Sequence, residues 1–162
     1  MAFDVKKRKR ELIEENVRRV KIAKEGEHLA RIFVSLILVA RSVLLLFEII
    51  YASVTSAEVS VWSHVLFVPF ILVMYMIYDG NKPFVYIPMI SAPIRLVYHF
   101  TSVLPTVSED GVCALTIVSL VLLGAQFFFS LIMSANTKCD VYFTAMQKVN
   151  LKLRSEMIGG KK

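Results

Sequence analysis

The stretch from Phe84 to Leu104 constrains the rest of the chain. It is apolar and long enough to cross a bilayer, yet it carries Pro88, Pro93, Arg95 and His99. Proline removes a backbone donor and disfavours helical geometry in the residue before it. A kinked or locally unwound segment is therefore expected around Ile90–Ala92. A guanidinium in hydrocarbon, and each carbonyl freed by a proline, needs a partner inside the protein. The other apolar segments are expected to wall this one in.

Three such segments exist. Ile32–Ser53 makes about 33 Å of helix, enough to span the hydrocarbon core. Val61–Tyr78 opens with Trp62 and His64, the indole suiting an interfacial anchor. Val112–Ala135 is the cleanest, with Thr116, Ser119, Gln126 and Ser130 on one face and Gly124 beside it for close helix approach. Asp79-Gly80-Asn81-Lys82-Pro83 reads as a tight turn joining the second and third spans. At 56% hydrophobic residues the chain exceeds the roughly 45–50% of soluble domains, and its 162 residues leave room for one compact bundle.

Charge fixes the expected topology. Of 19 Lys and Arg, ten lie in the first 31 residues and six in the last 25. The connections Val54–Ser60 and Pro105–Gly111 hold none, while the turn at Lys82 holds one. The positive-inside bias then gives four spans (32–53, 61–78, 84–104 and 112–135) with both termini cytoplasmic. Residues 1–31 read as a basic amphipathic helix, with Ile13, Val17 and Val20 at helical spacing. Residues 136–162 read as a second one, with Phe143, Met146, Val149, Leu153 and Met157 on its apolar face. Both are expected to lie against the anionic leaflet or a partner, and the basic runs are not read as nucleic-acid binding. The expected class is an all-α polytopic membrane protein, in a bacterial inner membrane.

Within the spans, Arg41 and Glu48 are seven residues apart and share a face. Ser91, Arg95, His99 and Ser102 share another. Arg41 lies about 14 Å and Arg95 about 17 Å from the cytoplasmic ends of their spans, both near the midplane. Glu48 and His99 fall in the outer half, and Gln126 in the inner half. Arg41, Glu48, Arg95, His99 and Gln126 are thus the candidate ligand-binding set. One carboxylate between two guanidinium groups leaves a positive surplus, which an anion, water or a neutral acceptor should complete.

Catalysis is not expected. No Ser–His–Asp set appears, and no Cys/His cluster has metal-ligand spacing, so neither metal nor cofactor is implied. Cys113 and Cys139 would stand nearly 40 Å apart along a helix, far beyond disulfide reach. The sequence points first to a non-enzymatic accessory or interaction subunit of a membrane complex, working as a homo- or hetero-oligomer through its exposed Phe127–Phe129 face. The second reading is a binding or transport protein for a small anionic or zwitterionic solute.

Overall fold

The computed structural model of the chain describes residues 4–55, 65–103 and 109–159. These are helical, with no strand among the described residues. Helix α1 is Val5–Ile13, α2 Lys21–Thr55, α3 Phe67–Tyr78, α4 Tyr86–Tyr98, α5 Glu109–Ala135 and α6 Thr137–Gly159. A wider π turn, Glu14–Arg18, follows α1, and a second, His99–Val103, follows α4. Two stretches are long and apolar enough to cross a membrane, Lys21–Ile50 and Thr116–Ala135, and α3 is a shorter apolar helix. The anchor expected of Trp62, the neighbouring His64 and the connection 56–60 lie outside the described residues.

One spacing runs through the helices. Buried positions alternate by three and four residues, the period that keeps a seam facing a neighbouring helix. In α2 the seam is Ala23, Glu27, Ala30, Val34, Ile37, Arg41 and Leu44. In α5 it is Ser119, Leu123, Gln126, Ser130 and Met133. In α6 it is Cys139, Tyr142, Met146, Val149 and Leu153. Helix α2 packs along α5, α6 and α3, and α4 packs along α5. Phe33 of α2 stacks on Phe129 of α5 with ring centroids 6.0 Å apart.

The two chain ends are not surface helices with free apolar faces. Leu12 of α1 is buried against Val149 and Leu153 of α6, and Ile13 packs beside them. Arg8 grips Glu156 with two hydrogen bonds of 2.9 Å. Lys9 binds Asp79 of the turn at 2.7 Å, Lys82 pairs with Asp140, and Lys138 pairs with Glu25 at 2.7 Å. Amphipathic periodicity shows that a face must be buried, and here α6 buries most of its own on α2 and α1, leaving Met157 exposed. Val20, expected on the apolar face, is exposed, and Ala23 takes the inner position.

Two glycines let α6 come close. A Cβ on Gly26 would lie 1.9 Å from the Lys138 carbonyl oxygen, so only glycine fits where α2 crosses α6. Gly80 has φ +87°, and a Cβ there would strike Met146. Left-handed backbone of this kind favours glycine. Asn136 caps α6, its side-chain oxygen accepting from the Lys138 and Cys139 amides. Gly124 does not serve the close approach expected of it, since a Cβ there would meet nothing within 4 Å.

The prolines also behave differently from expectation. Residues 90–92 are helical, inside an unbroken α4 from Tyr86 to Tyr98. Pro88 sits in the first turn, where its missing donor costs least, and its buried ring joins the seam. Pro93 is exposed, turned away from the helices that pack on α4. The departure from α geometry comes later, in the π turn that starts at His99.

Candidate functional site

The seams change character along their length. Toward the chain termini they are mostly apolar, with Glu27 of α2, paired with Arg31, as the charged member. Farther along, the same three–four alternation reaches Arg41 and Glu48 in α2, Ala92, Arg95 and His99 in and after α4, and Gln126 and Ser119 in α5. The helix register therefore turns polar groups inward, and each must find a partner.

Most do. Arg95 donates through Nη2 to both carboxylate oxygens of Glu48, at 2.9 and 2.8 Å. The two side chains are 13% and 12% exposed, so the pair is held away from solvent. His99 is buried and its Nε2 lies 2.8 Å from Ser119 Oγ. Gln126 donates from Nε2 to the Pro88 carbonyl at 2.9 Å and to Ser91 Oγ at 3.2 Å. Ser91 Oγ donates to the same carbonyl at 3.3 Å, and Ser130 Oγ donates to the Gln126 carbonyl at 2.7 Å.

Arg41 is the exception. It is 8% exposed, and its Nη1 has no hydrogen-bond partner among the described residues. Its guanidinium lies 5.6 Å from the centre of the Phe70 ring, a cation–π contact that offsets part of the desolvation but fills no donor. Gln126 Oε1 and Arg95 Nε are likewise buried without partners.

These groups meet at one cavity of about 510 Å³ between α3 and α4. Arg41 and Gln126 reach it from α2 and α5, and Ser91 and Arg95 from α4. Leu66, Pro69, Phe70, Val73, Ile87 and Ile94 make its apolar walls. The rim is exposed at Leu66, Ile87 and Ile94, while the floor at Arg41, Phe70 and Gln126 is buried. The cavity is therefore an open cleft, apolar at its mouth and hydrogen-bonding at its base.

Of the five residues singled out in the sequence, Arg41, Arg95 and Gln126 line this cleft together. Glu48 is joined to it through Arg95, and His99 pairs with Ser119 without lining it. Phe70 was missed, because an apolar ring in an apolar span gives no sign that a cation sits over it. No group of His, Cys, Asp and Glu able to hold a metal occurs among the described residues. No family model, no curated protein and no solved structure matches this chain.

Proposed function

We propose that this is a four-span integral membrane protein with both termini in the cytoplasm, and that it binds a small, largely apolar solute carrying an anionic group in the cleft between α3 and α4. The observation that carries the binding reading is Arg41, a buried guanidinium that lines an open cavity and whose Nη1 has no partner among the described residues. A guanidinium keeps its proton, so the charge has to be met by something. Arg95 spends its charge on Glu48, so of the two guanidinium groups lining the cleft Arg41 is the one without a carboxylate partner among the described residues. The cavity volume falls within the roughly 300–1,000 Å³ of pockets that hold one small ligand.

The four-span reading draws on the two long apolar helices, on the apolar stretches around α3 and α4, and on the loop charges. Exposed Val39, Val43, Leu46 and Ile50 on α2 fit a lipid-facing side opposite its seam. Exposed Ile117, Val121 and Phe128 do the same on α5.

A thermal-shift screen of the detergent-purified protein against anionic metabolites, amino acids, vitamins and lipids tests the binding. A ligand at 100 times its Kd adds about 2.7 kcal/mol of apparent stability. The expected result is a hit among organic acids that Arg41→Met removes. A flat screen would return the chain to the accessory-subunit reading. That reading has its own support in the exposed Lys6, Lys7, Arg10, Arg18, Arg19, Lys21 and Lys24, a basic surface fitted to anionic lipid or an acidic partner.

A further inference from the structure

We infer that the ligand of the cleft is a compact apolar monocarboxylate that also carries an N–H or O–H donor near its acid group. This rests on the binding reading above and specifies the chemistry of the occupant.

The charge of the ligand follows from the cations and anions around the base. Among the described residues, two guanidinium groups and one carboxylate leave a single positive charge, and that charge is on Arg41. A monoanion completes the set, whereas a dianion would leave a buried charge of the opposite sign. A carboxylate also matches the planar fork of a guanidinium.

The donor follows from Gln126. An amide side chain can be reversed without changing its shape, but here its orientation is fixed by chemistry. The group it holds at 2.9 Å is the Pro88 carbonyl, which only accepts, so the nitrogen must face it. Oε1 is then the end left over, and it is buried with no donor among the described residues. Gln126 is only 2% exposed, so bulk water does not serve it. An acceptor left unmet in such a place costs free energy that a ligand donor would recover. Arg41 and Gln126 thus ask for opposite things, an acceptor and a donor, within one cavity.

The apolar body follows from the walls, where Leu66, Val73, Ile87 and Ile94 offer no polar group of their side chains and Tyr98 adds a ring with a single hydroxyl. A membrane phospholipid fits poorly. Arg41 lies about 14 Å into its span by helix rise, near the midplane, whereas phospholipid headgroups stay at the interface.

The test uses three compounds of matched length on the full chain in phosphatidylcholine nanodiscs, with empty nanodiscs subtracted for partitioning. N-octanoylglycine has both the carboxylate and an amide donor. Undecanoate keeps the acid and lacks the donor, and the methyl ester of N-octanoylglycine keeps the donor and lacks the charge. The expected order places N-octanoylglycine first, with each of the others weaker by roughly tenfold or more. Arg41→Met should erase the preference for acid over ester, and Gln126→Met the preference for N-octanoylglycine over undecanoate. Should either substitution prevent folding, the compound series on the native chain still decides. Equal binding of acid and ester, or of N-octanoylglycine and undecanoate, would overturn the inference. Absence of binding by all three, beside an Arg41-dependent hit of other chemistry in the wider screen, would overturn the inference and leave the binding reading standing. Absence in both would remove the two together.

Discussion

Arg95 and Glu48, 47 residues apart in the chain, close a salt bridge in which one guanidinium nitrogen bonds both carboxylate oxygens. The pair determines how the rest of the site can behave. By occupying Arg95 it leaves Arg41, which also lines the cleft, as the buried cation whose Nη1 has no partner among the described residues. It also ties α4 to α2.

Breaking the pair on one side should be worse than removing it. Glu48→Ala leaves Arg95 buried and uncompensated and should cost about 3–5 kcal/mol of stability. The double variant Glu48→Met with Arg95→Met should recover most of that loss, because two well-packed apolar side chains often match a buried ion pair. Apparent melting temperatures of the single and double variants in detergent measure both. A double variant as unstable as Glu48→Ala would mean that the pair's own energy, and not the orphaned charge, dominates.

The glycines make opposite predictions. Gly26→Ala puts a methyl group 1.9 Å from a backbone carbonyl and should separate α2 from α6, with loss of several degrees in melting temperature. Gly124→Ala meets only open space and should be neutral or stabilising by up to about 1 kcal/mol from helix propensity. If the two substitutions behaved alike, the crossing at Gly26 would not be as close as described.

Cys139 should be inert while α6 stays docked. It is buried, and burial raises its thiol to about 11, well above the ordinary value. In a Cys113→Ser background, maleimide at neutral pH should leave the folded protein unlabelled and modify it fully after denaturation. Rapid labelling of the folded chain would show that α6 leaves α2 readily.

The layer that joins the two chain ends should loosen in both acid and strong base. The hydrogen bond from Arg8 holds the Glu156 carboxyl below its usual range, and that from Lys138 does the same for Glu25. Groups with depressed values stabilise the fold above their unfolded pKa, and the contribution is lost as pH falls through the folded value. Lys82 is raised by its hydrogen bond to Asp140, so its contribution holds below the ordinary lysine value and is lost as pH rises past it. Spin labels on α1 and α6 should report their shortest and narrowest distance near neutral pH and a broader one below the carboxylate range. An unchanged distribution at low pH would assign the docking to Leu12, Val149 and Leu153 alone.

How much of this was legible in the sequence depends on what each inference needed. The turn at Asp79–Pro83 and the inward stripe of Arg41 and Glu48 follow from local chemistry and helix period, and both are present. The Arg95–Glu48 pair was within reach because both residues were placed on inward faces at nearby depths. His99 and Ser119 were each on a marked face, but their contact depends on the register between two helices, which no single-helix period contains. The docking of α1 on α6 was missed for a related reason. Periodicity shows that Leu12, Val149 and Leu153 must be covered, not whether lipid or protein covers them. Gly26 stands in a charged stretch, where nothing local signals that two backbones cross. The cost of Pro88 and Pro93 to a helix interior predicts a break, whereas one occupies a first turn and the other an open face.

The central claim is that Arg41 is a charge kept for a ligand at the expense of stability. The melting temperature of ligand-free Arg41→Met against the native chain tests it most directly. A buried cation without a partner destabilises the empty protein, so an apolar side chain of similar length should raise the midpoint by a few degrees, less whatever the Phe70 contact contributes. A fall of several degrees would contradict the account, because it would mean that the empty protein already satisfies Arg41 and depends on it.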